Sequence, residues 1–312
     1  ARAVLFPALR KAGGFRARIL CAAGGLSAAH QAEKQDFEVA ATDEAQVYAD
    51  PDVKAVFILT RHDLHAGQVL KALKAGKHVF VEKPLALREE EISEIEKALE
   101  ASSGLLLVGF NRRFSPAARA ARAFFDGLRV PLTVAVRFNA GAVPADHWVQ
   151  SDEAGGGRLV GEACHGIDLA TYLAGAPPVR VFAESVGGPD APAVTDDQCF
   201  ITLRHANGAV SSVAYLAGGD RAIAKERVEV FGGGRAAVID DFREVTTAAG
   251  GRTKTRKGWS QDKGHRAEVE AFARAVAEGG PSPIPWEELR AVSLASILAV
   301  RSLREGVPFD VP

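Results

Sequence analysis

Through its first third the chain alternates short, continuously apolar runs with longer amphipathic ones. ARILCAA (17–23), DVKAVFIL (52–59), HVFVE (78–82) and LLLVGF (105–110) are apolar or β-branched almost throughout, whereas DLHAGQVLKALKAG (63–76) and LREEEISEIEKALEASSG (87–104) carry the helical period. Strands without polar alternation are covered on both faces, so this rhythm predicts a parallel sheet sandwiched by helices. Gly76 and Gly104 are expected to close the two helices, where a left-handed C-cap favours glycine. After residue 113 the period changes. LTVAVRFNA (132–140), CFITLRH (199–205), AVSSVAYLA (209–217) and RVEVFG (227–232) alternate along their length and are joined by turns containing Gly or Asn, which predicts a large, mainly antiparallel sheet with one wet face. Helical patterns over 264–279 and 286–306 close the chain. Two α/β units follow, residues 1–113 and 114–312.

Composition narrows the class. The chain has 312 residues, 47% of them hydrophobic, and a formal net charge of -1, which suits a globular protein with a sizeable core and gives no basic excess for nucleic acid. Its longest apolar runs, such as 104–110, fall short of the ~20 residues a membrane helix needs. The first residues lack the basic-then-apolar order of a secretory signal. Cys21, Cys164 and Cys199 are odd in number and far apart, so neither a disulfide framework nor a zinc pattern is expected, and a reducing cytoplasm is.

In an open parallel sheet, ligands lie beyond the carboxyl ends of the strands. Thr60, Arg61, His62 and His65 follow the run at 52–59, Lys83 and Pro84 that at 78–82, and Asn111, Arg112 and Arg113 that at 105–110. Any one of these is commonly a solvated strand end or a helix cap. Together they suit a phosphate-bearing cofactor and a polar substrate. An arginine after a buried strand could clamp a substrate phosphate or carboxylate, or equally pair with an acid of the second unit. His62 and His65 have a metal-ligand spacing, but no second pair completes a site and no metal is expected.

The segments AVFILTRHDLHAGQVLKALKAGKHVFVEKPLA, VGFNRRFSP and GGGRLVGEACHGIDLATYLAG, in this order, resemble the glucose-fructose oxidoreductase, inositol dehydrogenase and rhizopine-catabolism (Gfo/Idh/MocA) family. The resemblance runs over nearly the whole chain. It implies a Rossmann-type doubly wound sheet followed by an α/β domain. It also implies an NAD(P)-dependent hydride transfer at a secondary alcohol or ketone of a sugar, cyclitol or sugar nucleotide. Such chemistry needs a group that takes the hydroxyl proton and a cation that stabilises the developing oxyanion, roles that His165 and Lys83 suit and that the family's usual assignment gives them. Asp168, three residues after His165, is implied to contact substrate or orient neighbours. By the same resemblance Ala1, Ala22, Thr60, Arg61, His62, His65, Glu82, Lys83, Pro84 and Asn111 face the cofactor, and Lys83, Arg112, Trp148, Glu162, His165 and Asp168 the substrate. Lys225, Lys263 and His265 are further candidates to line the cavity, against the ordinary reading of charge at element ends as solvated. Self-association is expected through the outer face of the second sheet.

The chain departs from the family pattern in four places. ARAVLFPALRKAG is similar to the family's first helix, so Ala1 takes the third small position of the glycine turn, and the strand and first two glycines of that turn are missing from the pattern. An open groove or a frayed helix is expected at 1–12. At the end of the second strand, where a carboxylate usually binds the ribose of NAD, stand Cys21, Ala22, Ala23, Gly24 and Gly25, which leaves NADP or NAD open with a lean to NADP. The pattern TPNxxH reads TRHDLH, with Arg61 for proline and His62 for asparagine. The family's aspartate four residues before the histidine is Gly161 here, with Glu162 beside it. A one-residue step on a helix turns a side chain by ~100°. Glu162 therefore cannot replace that aspartate unless the preceding turn is rearranged, and His147, Asp146 or a simpler dyad are the other readings. Cys164, next to His165 in sequence, is not expected to pair with it as a nucleophile. A competing reading of the whole chain is a catalytically impaired binding or regulatory module, or one domain of a longer oxidoreductase.

Overall fold

The structure, a computed structural model, describes residues 2–312; the expected cofactor contact at Ala1 lies outside the described residues. The apolar runs form short parallel strands. β1 (Ile19–Cys21) pairs with β2 (Val39–Ala41), and β3 (Ala55–Ile58), β4 (His78–Val81) and β5 (Leu106–Val108) form a second set. Among the described residues no strand bonds β1 to β3, so the parallel strands make two sheets. Helices α1 (Arg2–Ala12), α2 (Gly25–Lys34), α3 (Ala45–Ala49), α4 (His62–Lys74) and α5 (Glu89–Glu100) alternate with them. The strand β2, only three residues long, has no counterpart among the sequence expectations.

Two of those expectations change. The segment at 1–12 is not frayed over its described part: α1 is a regular helix that buries Leu5 and Ala8. Gly76 does take the left-handed conformation, with φ 67°, but α5 is capped by Ala101 and Gly104 is not left-handed. A Cβ on Gly104 would lie 2.3 Å from the Lys77 carbonyl oxygen, so this glycine serves close chain approach instead.

Beyond α6 (Pro116–Phe124), the strands β6 (Thr133–Asn139), β7 (Pro178–Ser185), β8 (Gln198–His205), β9 (Val210–Leu216), β10 (Glu226–Gly232), β11 (Arg235–Asp240), β12 (Glu244–Ala249), β13 (Arg252–Lys257) and β14 (Phe309–Asp310) make one nine-stranded sheet. Its order is β13-β12-β11-β10-β6-β9-β8-β7-β14, and only the central β6 and β9 pair in parallel. Helices α7 (Cys164–Ala174) and α9 (Trp286–Glu305) pack against one face. The alternation predicted for β8 is observed, since Cys199, Ile201, Leu203 and His205 are buried while Phe200, Thr202 and Arg204 are exposed. The remaining helix, α8 (His265–Glu278), returns to the first unit and packs on α1. Its Phe272 ring lies 5.6 Å from Phe57 of β3 and 5.8 Å from Phe80 of β4, so residues more than 190 positions apart share one aromatic cluster. No helix among the described residues is long and apolar enough to cross a membrane.

Candidate active site

Three strand ends and the start of α7 converge on one place. After β4 the chain leaves the sheet through a cis Lys83–Pro84 bond. The Lys83 ammonium donates a hydrogen bond to the Gly161 carbonyl, 78 residues away. Gly161 lies in a π-helical turn, Leu159–Ala163, that runs directly into α7. Such a turn carries one residue more per hydrogen-bonded ring than an α turn and recurs at functional sites. Helix α7 can lie close to the sheet because Gly166 is bare. A Cβ there would meet Phe138 and Val213 at 2.7 Å.

His165 opens this helix. Its side chain is buried, and its Nδ1 has no hydrogen-bond partner. Burial, aided by the positive charges of Arg112 and Lys83, drives its proton affinity well below that of an ordinary histidine, so the imidazole is neutral at pH 7. An uncharged base with an unpartnered nitrogen thus lies within electrostatic reach of a fixed ammonium. Burial pushes the Cys164 thiol up to about 12, which agrees with its reading as an inert neighbour.

The β3–α4 junction supplies the other wall. His62 Nδ1 lies 2.8 Å from the Gly155 carbonyl, which can only accept, so Nδ1 carries the proton. Trp148 sets its edge on the His62 ring, with centroids 4.9 Å apart, and the Arg61 guanidinium lies over the indole at 5.4 Å. His65 is fully buried, its Nδ1 2.6 Å from the Pro84 carbonyl and its Nε2 3.2 Å from that of Thr60. Burial favours its neutral form, which has a single N–H, and that proton belongs on the shorter contact. The imidazole ties the β3 loop to the Lys83–Pro84 turn and, contrary to the expectation that it faces a cofactor, has both nitrogens turned to the backbone. Thr60 Oγ1 donates to Gln68 at 2.7 Å.

Several expected ligand-binding groups are already engaged by the protein. Asn111 donates to the Lys263 carbonyl at 2.6 Å, which fastens the β5 end to the segment before α8. Arg112, expected to clamp substrate, is buried and makes a two-pronged ion pair with Glu226 at 2.5 and 3.1 Å, while Lys263 approaches the same carboxylate at 2.5 Å. Of the two readings for an arginine at this strand end, pairing with an acid of the second unit is the one observed. Asp168 is likewise not free for substrate. Arg113 donates to both of its oxygens at 2.6 to 3.1 Å and reaches Glu288 at 2.7 Å. Burial raises the Asp168 carboxyl to about 6 against the pull of Arg113, so it remains ionised at neutral pH.

The turn before α7 is π-helical, so the α-helical step between neighbouring side chains does not apply at Glu162. Its carboxylate is nevertheless drawn into the second unit. It accepts from Lys225 and from the Tyr215 hydroxyl at 2.5 Å each, and from Arg158 at 3.0 Å. Burial opposes its ionisation, but these donors outweigh it and hold the carboxyl far below the usual range. It anchors Lys225 and has no affinity for a proton near pH 7. His147 accepts from the Val149 amide at 3.2 Å, and it and Asp146 are exposed. Tyr215, Arg158, Glu226 and Lys225 thus belong to the surroundings of the site. Lys225 is among the sequence candidates, the alternation of β9 and β10 hints at Tyr215 and Glu226, and no pattern points to Arg158. Cys21 ends β1 and Ala22 follows it, while Glu82 directly follows β4. Burial, then Glu44 and Asp43, raise the Cys21 thiol, and the Glu44 carboxylate itself accepts from Lys71, Gln68 and Tyr48.

A family model described as an oxidoreductase family with an NAD-binding Rossmann fold matches residues 7–110, and the model of that family's C-terminal domain matches residues 130–235. The inositol 2-dehydrogenase of Rhizobium meliloti is 31% identical over 309 residues, covering 93% of this chain and 90% of that enzyme. The chain belongs to the Gfo/Idh/MocA oxidoreductase family. Within it, the NAD(+)-dependent scyllo-inositol 2-dehydrogenase of Bacillus subtilis is 28% identical over 315 residues, with 95% and 89% of the two chains covered. Among solved structures, a levoglucosan dehydrogenase in complex with NADH and levoglucosan superposes with a TM-score of 0.84 at 26% identity, over 95% of this chain and 90% of the other. The protein is an oxidoreductase with a dinucleotide-binding fold and a second domain built on a large mixed sheet.

The residues present suit the nicotinamide half of such a cofactor. Polar groups converge at the carboxyl ends of three parallel strands, and an imidazole nitrogen is left without a partner within electrostatic reach of a lysine. No group of three or more described His, Cys, Asp or Glu side chains could hold a metal.

Proposed function

We propose that this family member interconverts a secondary alcohol and a ketone on a cyclic polyol, a sugar or a cyclitol, with His165 and Lys83 as its catalytic pair. The cofactor, when bound, takes up or returns the hydride. Lys83 donates a hydrogen bond to the reacting oxygen, and its fixed charge stabilises the alkoxide that develops as the hydride leaves. His165, neutral at working pH, accepts the hydroxyl proton and returns it in the reverse direction. The observation that carries this reading is the unpartnered, uncharged imidazole of His165 within electrostatic reach of a lysine held by a backbone carbonyl.

Thr60, Arg61, Lys83 and Pro84 would border the nicotinamide, Trp148 and His62 would close the mouth, and the substrate would lie against α7. The lean to NADP from the neutral end of β1 gives way to NAD. The family model is described as NAD-binding, and the relatives that name a cofactor name NAD or NADH. Residues 1–113 would bind the dinucleotide and residues 114–312 the substrate, with α8 bracing the first unit from the second. Phe200 and Phe231, 60% and 45% exposed on the wet face of the nine-stranded sheet, support association of two copies there. A reducing cytoplasm suits the three free cysteines.

The test is NADH formation with a panel of inositols, levoglucosan and aldoses. Lys83→Ala and His165→Ala should each lower kcat by about 10²–10⁴-fold while NADH fluorescence still reports binding. Full turnover in either variant would remove that residue from the chemistry.

A further inference from the structure

The place of the family's aspartate is not vacant. A Cβ on Gly161 would stand 2.9 Å from His62 Cε1, closer than a Cβ approaches such an atom, and a tight 3.3 Å from its Nδ1. The first residue of α4 therefore fills the volume that a side chain at 161 would need, 99 positions along the chain. Both positions differ from the family pattern, histidine for asparagine at 62 and glycine for aspartate at 161. Each departure requires the other. The imidazole fits only because Gly161 is bare, and with that site bare the Gly161 carbonyl is what receives Lys83. The Gly155 carbonyl fixes the ring through Nδ1–H at 2.8 Å, and Trp148 closes over it.

We propose that His62 and Gly161 act as one unit that takes the place of the missing aspartate, the imidazole filling the side-chain volume and the buried Gly161 carbonyl holding the Lys83 ammonium. His62 is thus a positioning residue for Lys83. Lys83 then has an uncharged partner. Burial and the nearby charge of Lys83 keep His62 neutral, with its proton affinity lowered to about 4, so no charge is restored by the ring itself.

This inference rests on the reading of Lys83 as catalytic, and its test separates the two. Gly161→Ala, His62→Asn and the double variant would be compared by thermal unfolding, by NADH titration and by turnover. Gly161→Ala should lower both the melting temperature and kcat, at least tenfold for the latter, because the added methyl displaces the ring. In the His62→Asn background the same methyl should cost little, so the two changes are strongly non-additive. Additive effects on melting temperature would overturn the proposal whatever the activity. Coupling in melting temperature without coupling in kcat would show packing alone and would overturn the positioning role. A third variant, His62→Asn with Gly161→Asp, puts a carboxylate beside Lys83. It should fold, turn over within about threefold of His62→Asn and shift the pH profile of kcat relative to the parent. An unchanged profile would also overturn it. If the parent shows no turnover with any polyol, the proposed function fails while the melting-temperature coupling still reports on the pair.

Discussion

The two sides of the candidate site hold their polar groups by different means. On the side of the parallel strands, His62, His65 and Lys83 each bond to a backbone carbonyl, of Gly155, Pro84 and Gly161 respectively. On the side of the second domain, charge is held by charge: Arg112 by Glu226, Arg113 by Asp168 and Glu288, and Glu162 by Lys225 and Arg158. A carbonyl positions a side chain without neutralising it, so the first side keeps uncharged imidazoles and an uncompensated ammonium near the reaction. An ion pair cancels the charges it fixes, and the second side gains rigidity at the expense of free groups. Arg112 and Arg113 are consecutive, yet they lock onto separate elements, β10 and α7, which aligns the end of β5 with the start of the helix that carries His165.

The comparison makes predictions that differ in size. Asp168→Ala leaves the Arg113 guanidinium buried with only Glu288, and unfolding in urea should show a loss of about 3–5 kcal/mol. A loss below about 1 kcal/mol would mean that the pair is not what holds α7 to the strand end. His65→Leu removes a hydrogen bond to a backbone carbonyl without stranding a charge. It should cost about 1–3 kcal/mol by the same measurement, less than the break on the other side. If His65→Leu proved the costlier of the two, the contrast between the sides would fail.

The smallest effect is one of pH. Glu268 of α8 is fully buried with Oε1 unpartnered, and burial, reinforced by Glu82 and Asp168, raises its carboxyl well above the ordinary value. The folded protein keeps this proton where the unfolded chain, with a pKa of about 4.3, has released it. Stability from this group is full below that pH and falls as pH rises toward the folded value, by at most about 1.4 kcal/mol per pH unit. Glu268→Gln should flatten that decline, read as a smaller drop in urea midpoint between about pH 5 and neutrality. An unchanged slope would show that the carboxyl is already ionised in the folded state.

Much of the fold was legible locally. The helical period over 63–76 and 87–104 led to α4 and α5, and the alternation of 199–205 and 209–217 led to β8 and β9, because burial on one face of a regular element leaves its period in the sequence. Short elements left no such period. β2 has three residues, too few to show a period, and β13 is exposed along its whole length, so it carries no apolar signature. At the site, HVFVEKPLAL marked Lys83 as a charge mounted on a strand end, and the spacing of His165 and Asp168 placed both on one helix. The partner of each was out of reach of any local pattern: Gly161 for Lys83, Arg113 for Asp168, Glu226 for Arg112.

The sequence by itself determined which residues could do chemistry and on which kind of element each would sit, since periodicity and turn residues act over a few positions. Only the tertiary structure decided which of them remained free to do it. Arg112, Asp168 and Glu162 had the right side chains in the right neighbourhood, and long-range partners claimed them. His62 and Gly161, each a departure when read alone, became a matched pair once folding brought them into contact. Hydrogen bonds, ion pairs and excluded volume act over a few ångströms in space whatever the separation along the chain, and that is the information a single sequence read by period does not carry.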